Sequence, residues 1–216
     1  MLEKMGEFFE NRLEGYEEHQ LTAIESAADF YPFTASLLPA EPGARILDLG
    51  CGTGLELGWY FQRNPTAQVT GIDLAPGMLA RLREKFPERD VTLICGSYFD
   101  VPFGGGFDGA VSVESLHHFT QAEKIPLYTK LRQALKSGAR FVLTDYFAPS
   151  EEAETALRQE LLRLKKEQGI PEGAFYHFDT PLTVEHEIQA LQAAGFAGVD
   201  ILGRWENTIT LAAGTY

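Results

Sequence analysis

The residues best placed to do chemistry lie in one run, Asp48-Leu49-Gly50-Cys51-Gly52-Thr53-Gly54. Three glycines at alternate positions let a backbone turn sharply and approach a ligand with no Cβ in the way. A helix leaving such a turn offers free N–H groups. Asp48, just before the turn, can accept hydrogen bonds from a ligand amine. Asp73 follows 19 residues after Gly54, at the end of Thr70-Gly71-Ile72. An acidic residue there binds the two hydroxyls of a ribose in nucleotide-type folds. The ligand is not a dinucleotide by this pattern. Gly-x-Gly-x-x-Gly needs a sixth-position glycine, and Leu55 or Leu57 stands there in the two registers.

These residues need strands and helices to hold them. Short apolar runs alternate with stretches of helical spacing, which predicts an α/β protein with a mostly parallel sheet. Strands are expected at Arg45–Leu49, Gln68–Ile72, Val91–Cys95, Phe107–Val113 and Phe141–Asp145. Ala197–Trp205 and Thr208–Ala213 read as a hairpin turning at Glu206-Asn207, so one member should run antiparallel. Helices are expected at Leu55–Gln62, at Pro76–Phe86 with Pro76 in the first turn, and at Thr183–Ala194, stopped by Gly195. A fourth spans Thr120 to Lys136. Thr120 and Glu123 have capping-box spacing, Pro126 suggests a fresh start, and Gly138 can end it. Residues 1–40 read as one or two helices. Residues 147–182 form an insertion with a charged helix and an aromatic-rich loop. Both segments are placed to cap the carboxyl ends of the strands, where open α/β sheets bind ligands.

The Gly-x-Gly-x-Gly run after Asp48-Leu49 resembles motif I of the class I S-adenosylmethionine-dependent methyltransferases. The likeness continues in order through Gly71-Ile72-Asp73-Leu74 with Met78-Leu79, Leu93 to Phe103, Phe107-Asp108 to Phe119, and Leu135 to Asp145. It implies one domain over 1–216: a helical cap (1–40), a cofactor-binding core (41–146), a cap insertion (147–182) and a last helix with hairpin (183–216). The implied fold is a doubly wound, Rossmann-like sheet of seven mostly parallel strands. The implied activity is methyl transfer from S-adenosyl-L-methionine by in-line displacement. On this resemblance Gly50, Cys51 and Gly52 line the methionine moiety and Asp48 meets its amino group. Asp73 holds the ribose, Leu74 and Met78 pack on adenine, and Ser97 and Tyr98 sit at the adenine edge. Many relatives carry Asp where this chain has Ser97. Val113 backs the sulfonium, and Tyr16 closes over the cofactor.

Methyl transfer needs positioning above all, so no catalytic constellation is required. Base candidates are Glu114, His117 and His118 after the fourth strand and Asp145 and Tyr146 after the fifth. His118 is the preferred one. His177 lines an acceptor pocket or packs in a lid. His19 and His186 are expected to be exposed, and Cys51 is a small residue suiting a tight turn. No metal is expected. A carboxyl-modified cofactor would need a basic partner, for which Arg12 is the candidate. A binding or regulatory protein without turnover is the competing reading.

The 216 residues suit one domain. Eighteen Lys and Arg against 31 Asp and Glu give a net charge of −13, which disfavours nucleic acid and anionic membrane surfaces as partners. A small-molecule acceptor is therefore expected. Two cysteines without metal spacing, no secretory signal and no long apolar run fit a cytoplasmic setting.

Overall fold

The structure, a computed structural model, describes residues 1–215. Seven strands form one sheet: β1 (Arg45–Leu49), β2 (Gln68–Asp73), β3 (Asp90–Cys95), β4 (Phe107–Val113), β5 (Leu135–Tyr146), β6 (Gly198–Trp205) and β7 (Thr208–Gly214). Their spatial order is β3-β2-β1-β4-β5-β7-β6. Only β7 runs antiparallel to its neighbours, β5 and β6. The hairpin expectation holds, and Glu206 takes a left-handed φ of 51° at the turn.

Alternation along β1 shows why both faces are covered. Ile46 packs into one apolar cluster with residues of α3 (Ala27–Ser36), α4 (Leu55–Arg63) and α5 (Pro76–Lys85). Leu47 and Leu49 enter the other cluster, with α6 (Gln121–Ala134) and α8 (Val184–Ala193). On that second face the buried Lys124 ammonium and Tyr128 hydroxyl both bond the Glu187 carboxylate, tying α6 to α8. Chain order reverses between β1 and β4, which is where such sheets leave a crevice.

The helix ends depart from expectation in informative ways. α6 has the capping box: the Thr120 side chain accepts from Glu123 N, and the Glu123 carboxylate accepts from Thr120 N. The helix then runs through Pro126 without a restart and ends at Ala134. Gly138 is left-handed (φ 77°) but lies inside β5, where pairing with β4 shifts between Phe107 and Gly109. It serves a strand irregularity rather than a helix stop. Residues 1–40 make three helices, not one or two: α1 (Met5–Glu10), α2 (Tyr16–Ala23) and α3. Left-handed Gly15 (φ 79°) and Ser26 (φ 59°) divide stretches that helical spacing alone runs together.

The two caps clasp each other. The insertion carries α7 (Glu151–Glu167) and then a loop that reaches the N-terminal segment. Lys4 and Tyr176 form a bridge, His177 N donates to the Glu3 carbonyl at 2.9 Å, and the Phe8 and His177 rings stack 3.4 Å apart. No helix among the described residues is long and apolar enough to cross a membrane.

Candidate functional site

The turn after β1 is built by backbone conformations that only glycine adopts freely. Gly50, Gly52 and Gly54 have φ of 74°, 48° and 68°. At Gly50 the absence of a side chain is also a matter of space. A Cβ there would meet Ser115 Oγ at 1.9 Å. The turn is held against β2 by Gly50 N and Cys51 N, both donating to the Ile72 carbonyl. Cys51 is buried, and its sulfur fills the gap beside Gly71, where a Cβ would sit 2.7 Å away. Burial raises its thiol pKa, as suits a packing residue.

Asp48 alternates with Leu47 and Leu49 and so faces α4, which brings Glu56 to it. Both are buried, and Asp48 Oδ2, Glu56 Oε1 and Thr53 Oγ1 have no hydrogen-bond partner. Burial first, and then the Glu56 charge, raises the Asp48 carboxyl well above its usual range; burial raises Glu56 as well. Three orphaned polar atoms in one turn are expensive unless a ligand meets them. Asp73 is placed at the end of β2 as expected. Its carboxylate accepts from Gly52 N and Ala75 N, each at 2.9 Å, and burial raises its pKa against those bonds. Lys85, missed in the sequence, reaches from α5 to the Thr53 carbonyl at 3.1 Å and bonds Glu17. It is the cation beside this turn. Arg12, the expected candidate, is committed to Glu3 at 2.8 Å and lies over the Phe8 ring.

The remaining residues expected at the cofactor are placed as follows. Leu74 is exposed and lies under Gly6 of α1, while Met78 is fully buried. Ser97 Oγ accepts from Phe99 N within its own turn. Tyr98 is buried and donates to the Ser115 carbonyl at 3.1 Å, pinning the segment after β4. Val113 ends β4, buried. The Tyr16 hydroxyl lies 3.8 Å from where a Gly52 Cβ would be, so α2 does bring it over the turn. Burial raises its phenol pKa.

A second region adjoins this turn. A cavity of about 780 Å³ is lined by Tyr16, Glu114, His117, His118, His177 and Asp179, among others. Ser115 abuts Gly50 and its neighbour Glu114 lines the cavity, so the two regions meet at the end of β4. Glu114 has a left-handed φ of 49°, an uncommon conformation for a non-glycine residue. Burial, with the Asp145 charge, pushes its carboxyl up to about 8.

The histidines gather around Asp179, which the sequence did not single out. His117 Nδ1 lies 2.5 Å from Asp145 Oδ1, and His117 Nε2 lies 3.4 Å from Asp179 Oδ1. His118 Nδ1 is 3.4 Å and His177 Nε2 3.9 Å from the same oxygen. Burial opposes charge on His117, but Asp145 and Asp179 together hold it well above its usual value; burial and the His117 charge push His118 well below. His19 is exposed as expected, yet lines the cavity. His186 does not stay free: its Nδ1 lies 2.9 Å from Glu154.

Of the residues missed in the sequence, Glu56 left a trace there, an acid wedged between Leu55 and Leu57 where a helix must bury its face. Asp179 left none, since its partners are about sixty residues away along the chain.

Comparisons with known proteins bear on the domain and its fold. A family model described as a methyltransferase domain matches residues 46–138. An uncharacterized methyltransferase of Synechocystis sp. is 33 % identical over 122 residues, 56 % of this chain and 56 % of its own. The chain thus spans just over half that relative's length. The 18S rRNA (guanine-N(7))-methyltransferase of Schizosaccharomyces pombe is 26 % identical over 206 residues, 90 % of this chain and 74 % of its own. The crystal structure of Streptomyces venezuelae DesVI superposes with a TM-score of 0.69 at 18 % identity, over 94 % of this chain and 98 % of that one, which speaks for the fold. The chain is thus similar to the class I S-adenosylmethionine-dependent methyltransferases, through a methyltransferase-domain match over residues 46–138 and a shared fold.

Proposed function

We propose that this protein is an enzyme that methylates a small molecule held in the cavity beside the β1 turn, with S-adenosylmethionine as donor. The observation that carries the reading is the trio of unpartnered buried atoms on Asp48, Thr53 and Glu56 in and beside the glycine turn, which Ser115 against Gly50 and its neighbour Glu114 connect to the cavity wall. When bound, the donor would supply an electrophilic methyl carbon on a sulfonium, to which an acceptor lone pair can bond in line while the carbon–sulfur bond breaks and its electron pair leaves with the neutral thioether. The chain's own residues bind, orient and exclude water.

Asp48 and Glu56 fit a cationic amino group. Two buried carboxyls that keep a proton when alone give it up when a cation arrives. Asp73 fits a vicinal diol: its two oxygens already accept from backbone N–H groups and retain lone pairs for hydroxyls. Leu74, Met78, Ser97 and Tyr98 would hold the adenine end, and Val113 would back the sulfonium. Tyr16 and the two clasped caps keep water from the transfer path. Among the base candidates, Glu114 is favoured over the expected His118. Its carboxyl stands at the junction of turn and cavity, whereas His118 Nδ1 is turned to the Phe178 carbonyl at 3.2 Å.

The cavity suits a small acceptor better than RNA. Its rim carries Glu14, Glu25 and Glu206, and the chain's charge of −13 repels a polyanion. The rRNA methyltransferase relative makes the contrast worth testing directly. Calorimetry should show S-adenosylmethionine binding to the wild type and a loss of at least ~10-fold in Asp73→Ala, as charged hydrogen bonds of about 1.5–3 kcal/mol disappear. Label from a methyl-labelled donor should enter a low-mass fraction of a cell extract. Absence of binding, or unchanged affinity in Asp73→Ala, defeats the donor assignment. Label confined to RNA defeats the acceptor assignment.

A further inference from the structure

We propose that His117, His118 and Asp179 form a divalent transition-metal site that opens into the acceptor cavity and takes an oxygen or sulfur donor of the acceptor. This deepens the reading of the cavity as an acceptor site and rests on it.

The spacing of the ligand atoms is the first observation. A tetrahedral ion with metal–nitrogen and metal–oxygen bonds of about 2.0–2.1 Å spaces its ligands about 3.3–3.4 Å apart. His117 Nε2 and His118 Nδ1 each stand 3.4 Å from Asp179 Oδ1. Each of the three residues offers a ligand atom within 4.8 Å of the others'.

The second observation is the support behind them. A metal-bound histidine commonly passes its other N–H to a carboxylate. His117 does this: its Nδ1 faces Asp145 Oδ1 at 2.5 Å. Asp145 in turn is fixed by Leu116 N at 2.9 Å and Tyr146 N at 3.0 Å, so it orients the ring. The loop that carries Asp179 is laced to the histidine segment on both sides. Thr180 N donates to the His117 carbonyl and Thr180 Oγ1 to the His118 carbonyl, each at 3.0 Å. The ligands therefore sit on a frame set before any ion arrives. Ion binding at His118 Nδ1 moves its proton to Nε2 and releases the Phe178 carbonyl.

The third observation is openness. His117 and His118 are buried, whereas the Asp179 side chain is 51 % exposed, and all three line the cavity. Three protein ligands and one open position make the pattern of a catalytic rather than a structural site. Two imidazoles and one carboxylate suit zinc, iron or cobalt better than magnesium or calcium. His177, with Nε2 3.9 Å from Asp179, stands beside the open position rather than among the ligands.

Equilibrium dialysis of the tag-free chain against Co²⁺, without donor or acceptor, tests this. The expected result is one Co²⁺ per chain, with the visible absorption of a low-coordinate ion, displaced by Zn²⁺. Asp179→Ala, at an exposed position, should abolish that absorption, while His19→Gln, on the same cavity wall, should leave it intact. Asp145→Asn should weaken the ion ~10–100-fold, the usual consequence of losing a supporting carboxylate. Calorimetry with S-adenosylmethionine on Asp179→Ala should match wild type, so loss of the metal site is distinguishable from loss of the donor site. Failure to bind Co²⁺, or equal binding by wild type and Asp179→Ala, overturns the proposal and leaves a metal-free imidazole–carboxylate cluster.

Discussion

The donor side and the acceptor side of this molecule solve opposite problems. Around the β1 turn, polar atoms are buried unmet: one oxygen each of the paired Asp48 and Glu56 carboxyls, and the Thr53 hydroxyl. Around Asp179, each titratable group faces another, through His117–Asp145, His117–Asp179 and His118–Asp179. The first arrangement is unfavourable until a ligand arrives and so stores selectivity for a cationic one. The second is already satisfied and can hold its geometry with or without a guest. The unmet atoms all lie in the β1 turn and the start of the helix that follows it. The acceptor side draws on residues 8–25, 114–118, 146, 177–179 and 205–208.

The largest expected effect falls on the donor side. Gly50→Ala places a Cβ 1.9 Å from Ser115 Oγ and 2.5 Å from Ser115 Cβ, at a φ of 74°. Left-handed strain alone is on the order of 1–3 kcal/mol. Displacing Ser115 also displaces Glu114, so the substitution damages both regions at their junction. Donor affinity should fall ~10-fold or more, the equivalent of about 1.4 kcal/mol. Calorimetry together with thermal melting reads both parts; a variant that binds normally would mean that the turn does not approach the ligand.

Glu56→Gln separates the two sides through pH. Burial raises the folded pKa of Glu56 and of Asp48 above their unfolded values. For such groups the native state binds more protons than the unfolded chain, so stability is full below the unfolded pKa near about 4 and declines as pH rises toward the folded one. The ligand-free protein should therefore lose melting temperature as pH rises above about 4, and Glu56→Gln should flatten the decline. At the upper end the variant should gain on the order of 1 kcal/mol, or about 2–4 °C. The same variant should bind donor more weakly. A steeper decline in Glu56→Gln would show that the pair is ionised and matched by Lys85.

How much of this was legible in the sequence follows from the same contrast. Strands β1 to β4, the hairpin turn at Glu206-Asn207 and the Thr120–Glu123 box are set by residues within a few positions of each other, and they were readable. Gly138 misled because a left-handed glycine serves equally a helix end and a strand irregularity. The breaks at Gly15 and Ser26 were hidden by apolar spacing that runs straight across them. Asp48 and Asp73 announced themselves by their place after strands. Asp179, Lys85 and the clasp between Phe8 and His177 depend on chain segments brought together from afar, and no local pattern encodes such distances.

Phe8→Ala probes the acceptor side alone. Its ring lies parallel to His177 at 3.4 Å and joins the two caps. Aromatic pairs contribute about 0.5–1.5 kcal/mol beyond their area, so the Michaelis constant for the acceptor should rise roughly 2–10-fold. Donor affinity should hold, since Gly6 over Leu74 and Glu10 on Gly77 N remain. Equal losses for donor and acceptor would mean that the caps act as one lid over both regions and would erase the distinction drawn above.

The smallest effect is expected at Ser97. Its hydroxyl accepts from Phe99 N at 3.2 Å, which leaves its proton as its only spare donor. An adenine amino group needs an acceptor. The hydroxyl's lone pairs are partly spent on its own turn, which leaves Ser97 a poor acceptor for such an amino group. Ser97→Ala should therefore change donor affinity by less than about threefold, below the ~1 kcal/mol of an ordinary hydrogen bond. Ser97→Asp should strengthen it by a comparable factor, because a carboxylate can serve Phe99 N and the amino group together. If Ser97→Ala instead loses ~10-fold or more, the hydroxyl is itself the adenine ligand. The donor side would then reach one strand further, to the turn after β3, than the orphaned atoms of the β1 turn indicate.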